Sequence, residues 1–239
     1  MLNIIKYSSC LDQMGNRNSL SKTDLDAAFL HMKYDYYCNN GVFKPGYNVQ
    51  TGVCDGFIWN VLIHTDANDV HTCILFMDKF YEQYGYYPEN VCADAGYGSY
   101  DNYLYNFQHG IESYIKYPHW EKERHNARKD KYKPFRFTFN DQGELICPEG
   151  HAMKMISSRR DYRSEHEYPR FRHTYKTPVC QSCPVKSKCT RSSSGRIIVK
   201  TMGLDEIQQH VRESLESDKG IQLRMQRNVQ AERTFGQIK

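Results

Sequence analysis

Apolar and polar positions fall into regular order at Tyr47–Cys54, where they alternate as a strand would. Asp55-Gly56 then gives a strong hairpin-turn signal, and Phe57–Ile63 reads as the returning strand. The period changes over Val70–Tyr84, where Ile74, Leu75, Met77, Phe80 and Tyr81 predict the apolar side of a helix. Asn68 or Asp69 is placed to cap it, and Asp66 or Asp69 is a weaker candidate for a metal site. A short buried strand, Val91-Cys92-Ala93, follows and stops on Asp94, before a sharp turn through Gly96 and Gly98. Asn102–His109 reads as a short helix and Ile111–Tyr117 as a further strand. At the far end, Leu204–Ser217 reads as a helix broken by Asp218-Lys219-Gly220. A second helix begins at Ile221 and carries Leu223, Met225, Val229 and Phe235. Residues 1–20 show no periodicity, so 1–40 is expected to be irregular. These elements together predict an α/β fold.

Composition changes this picture in one region. From Tyr117 to about Thr201 the chain turns basic and aromatic, without long apolar stretches. Lys116–Arg136 holds eight Lys/Arg against three acids, interleaved with Tyr117, Trp120, Tyr132 and Phe135. Such a patch suits phosphate neutralisation and base stacking, and equally a solvated basic loop. The chain has 239 residues, enough for a real core, and a net charge of +4. Its mean hydropathy of -0.76 is low. Nineteen tyrosines, which pack apolar area but score as polar, partly explain that value. No apolar run is long enough to span a bilayer, and the first six residues are too short for a signal peptide, which points to the cytoplasm.

Nine cysteines divide into two groups. Cys10, Cys38, Cys54, Cys73 and Cys92 are scattered, as small buried hydrophobes would be. Cys147 stands before a Pro-Gly knuckle, and Cys180, Cys183 and Cys189 follow at short spacing. This spacing suits a tetrahedral Zn²⁺ of structural type, since four thiolates leave no open position for chemistry. His151 and His173 are substitute ligands should Cys147 point away, and a metal-free set of thiols is the alternative. A small segment with little core gains much of its folding free energy from such a clip.

A carboxylate on the last residue of a buried strand is carried to the sheet edge, where α/β proteins meet metals and substrates. ADAGYGS (Ala93–Ser99), followed at distance by Arg227, Glu232 and Lys239 in an Arg-x4-Glu-x6-Lys pattern, resembles bacterial insertion-sequence transposases of the Asp-Asp-Glu class. SKTDLDAAFLHMK (Ser21–Lys33) and KPGYNVQTG (Lys44–Gly52) resemble the branch of that family with a cysteine-rich insertion, and the motifs occur in the family's order.

The resemblance implies a ribonuclease H-like mixed sheet with helices, formed by 41–117 and 202–239. A small zinc-ribbon-like insertion over 118–201 interrupts it. It further implies strand cleavage and joining of DNA with Mg²⁺ or Mn²⁺. Asp94 would be the second acid and Glu232 the third, with Arg227 and Lys239 on phosphates or steadying the carboxylate. Transposon-end and target DNA are the implied partners, with a homodimer or an intact transposase beside them. One departure is Arg224, where the family often has Tyr. The first acid of the family, expected on a strand before Ser21, has no counterpart. The chain therefore reads as a truncated, impaired copy unless Asp24, Asp26 or Asp66 substitutes. A non-catalytic regulatory fragment is the other reading.

Overall fold

The computed structural model describes residues 2–15, 17, 19–31, 42–125, 131–161 and 168–238. The chain divides into two compact units, one of Met1–Glu89 with Arg224–Lys239 and one of Asn90–Leu223.

The first unit opens with helix α1 (Leu2–Met14), where the sequence predicts no element. Its apolar residues Ile4, Ile5 and Leu11 remain exposed, so no buried stripe marks it in the pattern. Strands β1 (Ala28–His31) and β2 (Phe43–Gly46) pair antiparallel. The predicted hairpin forms as β3 (Asn48–Cys54) and β4 (Phe57–His64), paired antiparallel. Asp55 and Gly56 both take positive φ, 50° and 82°, the backbone a tight two-residue hairpin demands.

Helix α2 (Asp69–Tyr84) covers one face of this hairpin. Asn60 Nδ2 donates to the carbonyl of Phe76 at 2.8 Å, and the Tyr84 hydroxyl donates to that of Trp59 at 2.6 Å. Gly52 is needed there, because a Cβ would stand 2.9 Å from the Phe76 ring. The buried side of α2 is Thr72, Cys73, Ile74 and Met77, whereas the predicted Leu75 and Tyr81 are exposed. Burial at Cys73 pushes its thiol up to about 12, as suits an inert packing residue.

In the second unit, β5 is only Asn90–Val91 and pairs parallel with β6 (Glu112–Ser113). The strand expected to run to Asp94 thus leaves the ladder three residues early, at Val91. Cys92 and Ala93 instead pack against a core of Tyr103, Tyr114, Ile115, Tyr117, Trp120, Val211 and Leu215. Helices α3 (Tyr100–Gln108), α4 (Trp120–His125) and α6 (Leu204–Glu216) build that core. Ser99 caps α3 by accepting from the Asn102 amide at 3.2 Å. Among the described residues the hairpin is a two-stranded sheet of its own and β5–β6 is another, so one continuous mixed sheet is not formed by them.

The rest of the unit is a five-stranded antiparallel sheet in the order β11 (Ile197–Thr201), β10 (Arg170–Lys176), β9 (Ala152–Asp161), β8 (Leu145–Ile146), β7 (Thr138–Phe139). Phe137, Leu145, Met153, Tyr175 and Ile198 form its core.

Helix α7 (Asp218–Ile238) starts three residues before the predicted position. The break falls at Ser217 alone, whose hydroxyl accepts from the Gly220 amide at 3.1 Å. Ser217 is therefore a helix cap, and Asp218-Lys219-Gly220 is the first turn rather than a breaker. Gly220 is required for close approach, since a Cβ would lie 2.1 Å from the Ser214 carbonyl oxygen.

Candidate functional site

The four grouped cysteines come together around one small cavity, which Phe137, Met153 and Thr177 also line. Local backbone chemistry explains how each arrives. Cys147 follows β8, and the chain reverses through Pro148-Glu149-Gly150. Gly150 takes φ 81°, and its amide donates to the Cys147 carbonyl at 2.8 Å. Cys180 lies in a single 3-10 turn (Pro178–Gln181) after β10, and Cys189 ends the short helix α5 (Lys186–Cys189). Gly195, at φ 92°, leaves room for Cys180, because a Cβ there would stand 2.7 Å from that of Cys180. Sequence reading missed this role, since Ser-Ser-Ser-Gly signals only a turn.

All four thiols are free. Burial raises the Cys189 thiol, Arg196 opposes, and the other three cysteines raise it further, so the four sulfurs sit within electrostatic reach of one another. Cys147 and Cys189 also pack against the sheet core. His151 borders the same cavity, whereas His173 lies on β10 beside the Tyr175 hydroxyl. Among the described residues, no group of three or more Cys, His, Asp or Glu side chains is placed to hold a metal ion. By donor type alone, thiolates are ligands that zinc prefers.

Asp94 is exposed at the start of the single turn Ala95–Tyr97, and its Oδ1 accepts from the Ala95 amide at 2.7 Å. Gly98 follows because a Cβ would meet the Lys116 carbonyl oxygen at 2.4 Å. Glu232 and Arg227 both lie on α7, in the unit that holds 224–239, while Asp94 lies in the unit 90–223. Arg227 Nη2 donates to Asn228 Oδ1 at 2.9 Å. Lys239 and Cys38 fall outside the described residues, as does the side chain of Glu232.

The substitute acids have local partners. Asp24 Oδ1 accepts from the amides of Asp26 and Ala27, and both its oxygens accept from the Tyr47 hydroxyl at 3.0 Å. Asp66 Oδ1 caps the Asn68 amide at 2.8 Å, and its Oδ2 lies 2.6 Å from His71 Nδ1. That set, against a burial cost, holds the Asp66 carboxyl below its usual range. Asp69 Oδ1 accepts from Asn48 and Gln50, so it ties the hairpin to α2.

Part of the basic, aromatic patch belongs to the core. Tyr117 and Trp120 are core residues, 2% and 1% exposed, and cannot stack on bases. Lys116 pairs with Glu121 at 2.6 Å, Lys131 with Glu149 at 2.7 Å, and Arg124 lies over the Trp120 ring. Residues 126–130 of the patch lie outside the described residues.

No helix among the described residues is long and apolar enough to cross a membrane. No curated protein and no solved structure matches the chain. Residues 146–239, from the end of β8 through all four grouped cysteines to the last residue of α7's segment, match the family model described as the transposase DDE domain, which supports a transposase of the DDE class.

Proposed function

We propose that the chain is a transposase of the Asp-Asp-Glu class that acts on transposon-end and target DNA in the cytoplasm, with a catalytic core of ribonuclease H-like type. The match of residues 146–239 to the transposase DDE domain carries this reading. Asp94 supplies the second carboxylate and Glu232 the third, while Arg227 and Lys239 hold phosphates. Mg²⁺ or Mn²⁺, when bound, supplies charge neutralisation and an acidified attacking water or 3′-hydroxyl. The acids' own task is to hold their oxygens ready for a hard cation, and Asp94 is exposed. Asp24 and Asp66, two candidates for the first acid, are already engaged with backbone amides, Tyr47 and His71, and leaving those partners would cost hydrogen bonds.

The cysteine-rich segment, on this reading, is a zinc clip. Zn²⁺ on Cys147, Cys180, Cys183 and Cys189 closes the loops on the sheet core, with a purely structural role.

Iron-directed backbone cleavage tests the shared metal without requiring turnover. Fe²⁺ with ascorbate and peroxide, in place of Mg²⁺, should cut near residues 94 and 232 together. Either Asp94→Asn or Glu232→Gln should abolish both cuts. Cuts that survive both substitutions, or that respond separately, defeat the assignment. Metal-dependent nicking of supercoiled plasmid, abolished by Asp94→Asn, would support the same assignment.

A further inference from the structure

The five-stranded sheet buries one face; on the other, among the described residues, β9 and β10 carry charged and hydroxyl side chains and β11 adds the exposed Ile197 and Val199. Tyr175, Met153 and Ile198 point into the core. The register fixes what stands opposite. Lys154 pairs directly with Lys176, Ser157 with Thr174, Arg159 with Arg172, and Asp161 with Arg170. Directly paired residues of an antiparallel ladder share a face, and β10 carries these partners at every second residue, alternating with Phe171, His173 and Tyr175. The bulge near Tyr175, which leaves Ile156 unpaired, keeps Lys154 on the same face as Arg159. Two like-charged pairs therefore face one another across β9 and β10, an arrangement that destabilises a sheet.

Neighbouring acids do little to offset it. Arg172 lies 3.9 Å from Asp161, and Arg170 turns to Asp101 on α3 at 2.7 Å. Lys154, Arg159 and Lys176 have no acidic partner among the described residues, and Lys154 and Arg159 are exposed. Between the two cationic pairs stand the hydroxyls of Ser157 and Thr174, which can donate to phosphate oxygens. From Arg172 to Lys176 the strand spans about 13 Å.

We propose that this outer sheet face, built on Lys154, Arg159, Arg172 and Lys176, docks the sugar–phosphate backbone of duplex DNA. The choice of DNA among polyanions rests on the transposase reading. The surface shares no residue with the sequence-predicted patch at 116–136, and DNA phosphates supply the anions that offset the repulsion across its two like-charged pairs. It positions DNA without reading sequence, because alternating cations and hydroxyls meet phosphates rather than base edges.

Fluorescence anisotropy of the full chain with a random-sequence duplex of about 25 base pairs, in EDTA so that no cleavage intervenes, tests this. The triple substitution Lys154→Gln, Arg159→Gln and Lys176→Gln should weaken binding at least about tenfold. It should also reduce the slope of log affinity against log salt by roughly 2 to 3, one unit or slightly less per lost phosphate contact. A charge-matched control, Lys6→Gln, Lys22→Gln and Lys79→Gln, should change neither. The triple variant should melt no lower than the parent, since it relieves repulsion. Unchanged affinity and slope in the triple variant overturn the proposal, as does tighter binding of a poly-glutamate peptide than of duplex. If duplex binding fails while iron-directed cuts at 94 and 232 persist, this surface is wrong and the transposase reading stands. If both fail, the reading falls with it.

Discussion

Two hydrophobic clusters within the unit 90–223 solve the same problem by different means. The Trp120 cluster joins seven buried side chains, four of them Tyr or Trp, from loop and helix. The Tyr117 hydroxyl at its edge donates to Glu123 at 2.7 Å and accepts from Arg212. The Phe137 cluster has five buried side chains, and two of the cysteines complete its edge. Large aromatic area can hold the first on its own. The second has fewer buried side chains and short strands β7 and β8, so a zinc clip of the kind proposed would contribute most there. What the difference teaches is that two cores in one unit can draw on different amounts of buried aromatic area.

The sharpest way to break this comparison is to remove the proposed zinc. Chelation, or Cys183→Ser, should melt the sheet while leaving the Trp120 cluster folded. Hydrogen exchange would show lost protection over 138–176 and retained protection at 103–117 and 207–215. Apparent zinc-binding energies of about 10–16 kcal/mol in small zinc domains set the upper scale. Full protection of the sheet without metal would show that its core suffices.

Trp120→Ala strikes the other cluster and should cost about 3–5 kcal/mol in urea unfolding, as deletion of a buried aromatic does. The sheet's zinc content should be unchanged. Loss of zinc on this substitution would mean that the two clusters fold as one.

A smaller effect comes from pH. Burial, then the hydroxyl's donation to Glu123, push the Tyr117 phenol up to about 12 against the opposing pull of Arg212. The neutral phenol is thus favoured in the fold. Its contribution is complete below the unfolded value near 10 and disappears as pH rises from about 10 to 12. The loss is about 2–3 kcal/mol. Tyr117→Phe should flatten that part of the stability profile. An unaltered profile would assign the alkaline loss to other groups.

Much of the local fold was legible in the chain. The Asp55-Gly56 hairpin, helix α2 and the four-cysteine grouping follow from turn chemistry, period and spacing, which act over a few residues. Helix α1 escaped because it buries almost nothing, and Ser217 was passed over because its neighbour Gly220 looked like a breaker. The candidate site was legible only in part: the order of Asp94, Arg227 and Glu232 is a sequence fact, while the free sulfurs meeting at one cavity is a spatial one.

The sequence by itself determined the turns, the helical and strand periods and the residue types available to metal and phosphate, because each depends on local geometry. Only the tertiary structure decided that Tyr117 and Trp120 are core rather than a base-stacking surface. It alone aligned Lys154 with Lys176 and Arg159 with Arg172. Burial and strand register arise from contacts between distant segments, and no local pattern encodes them.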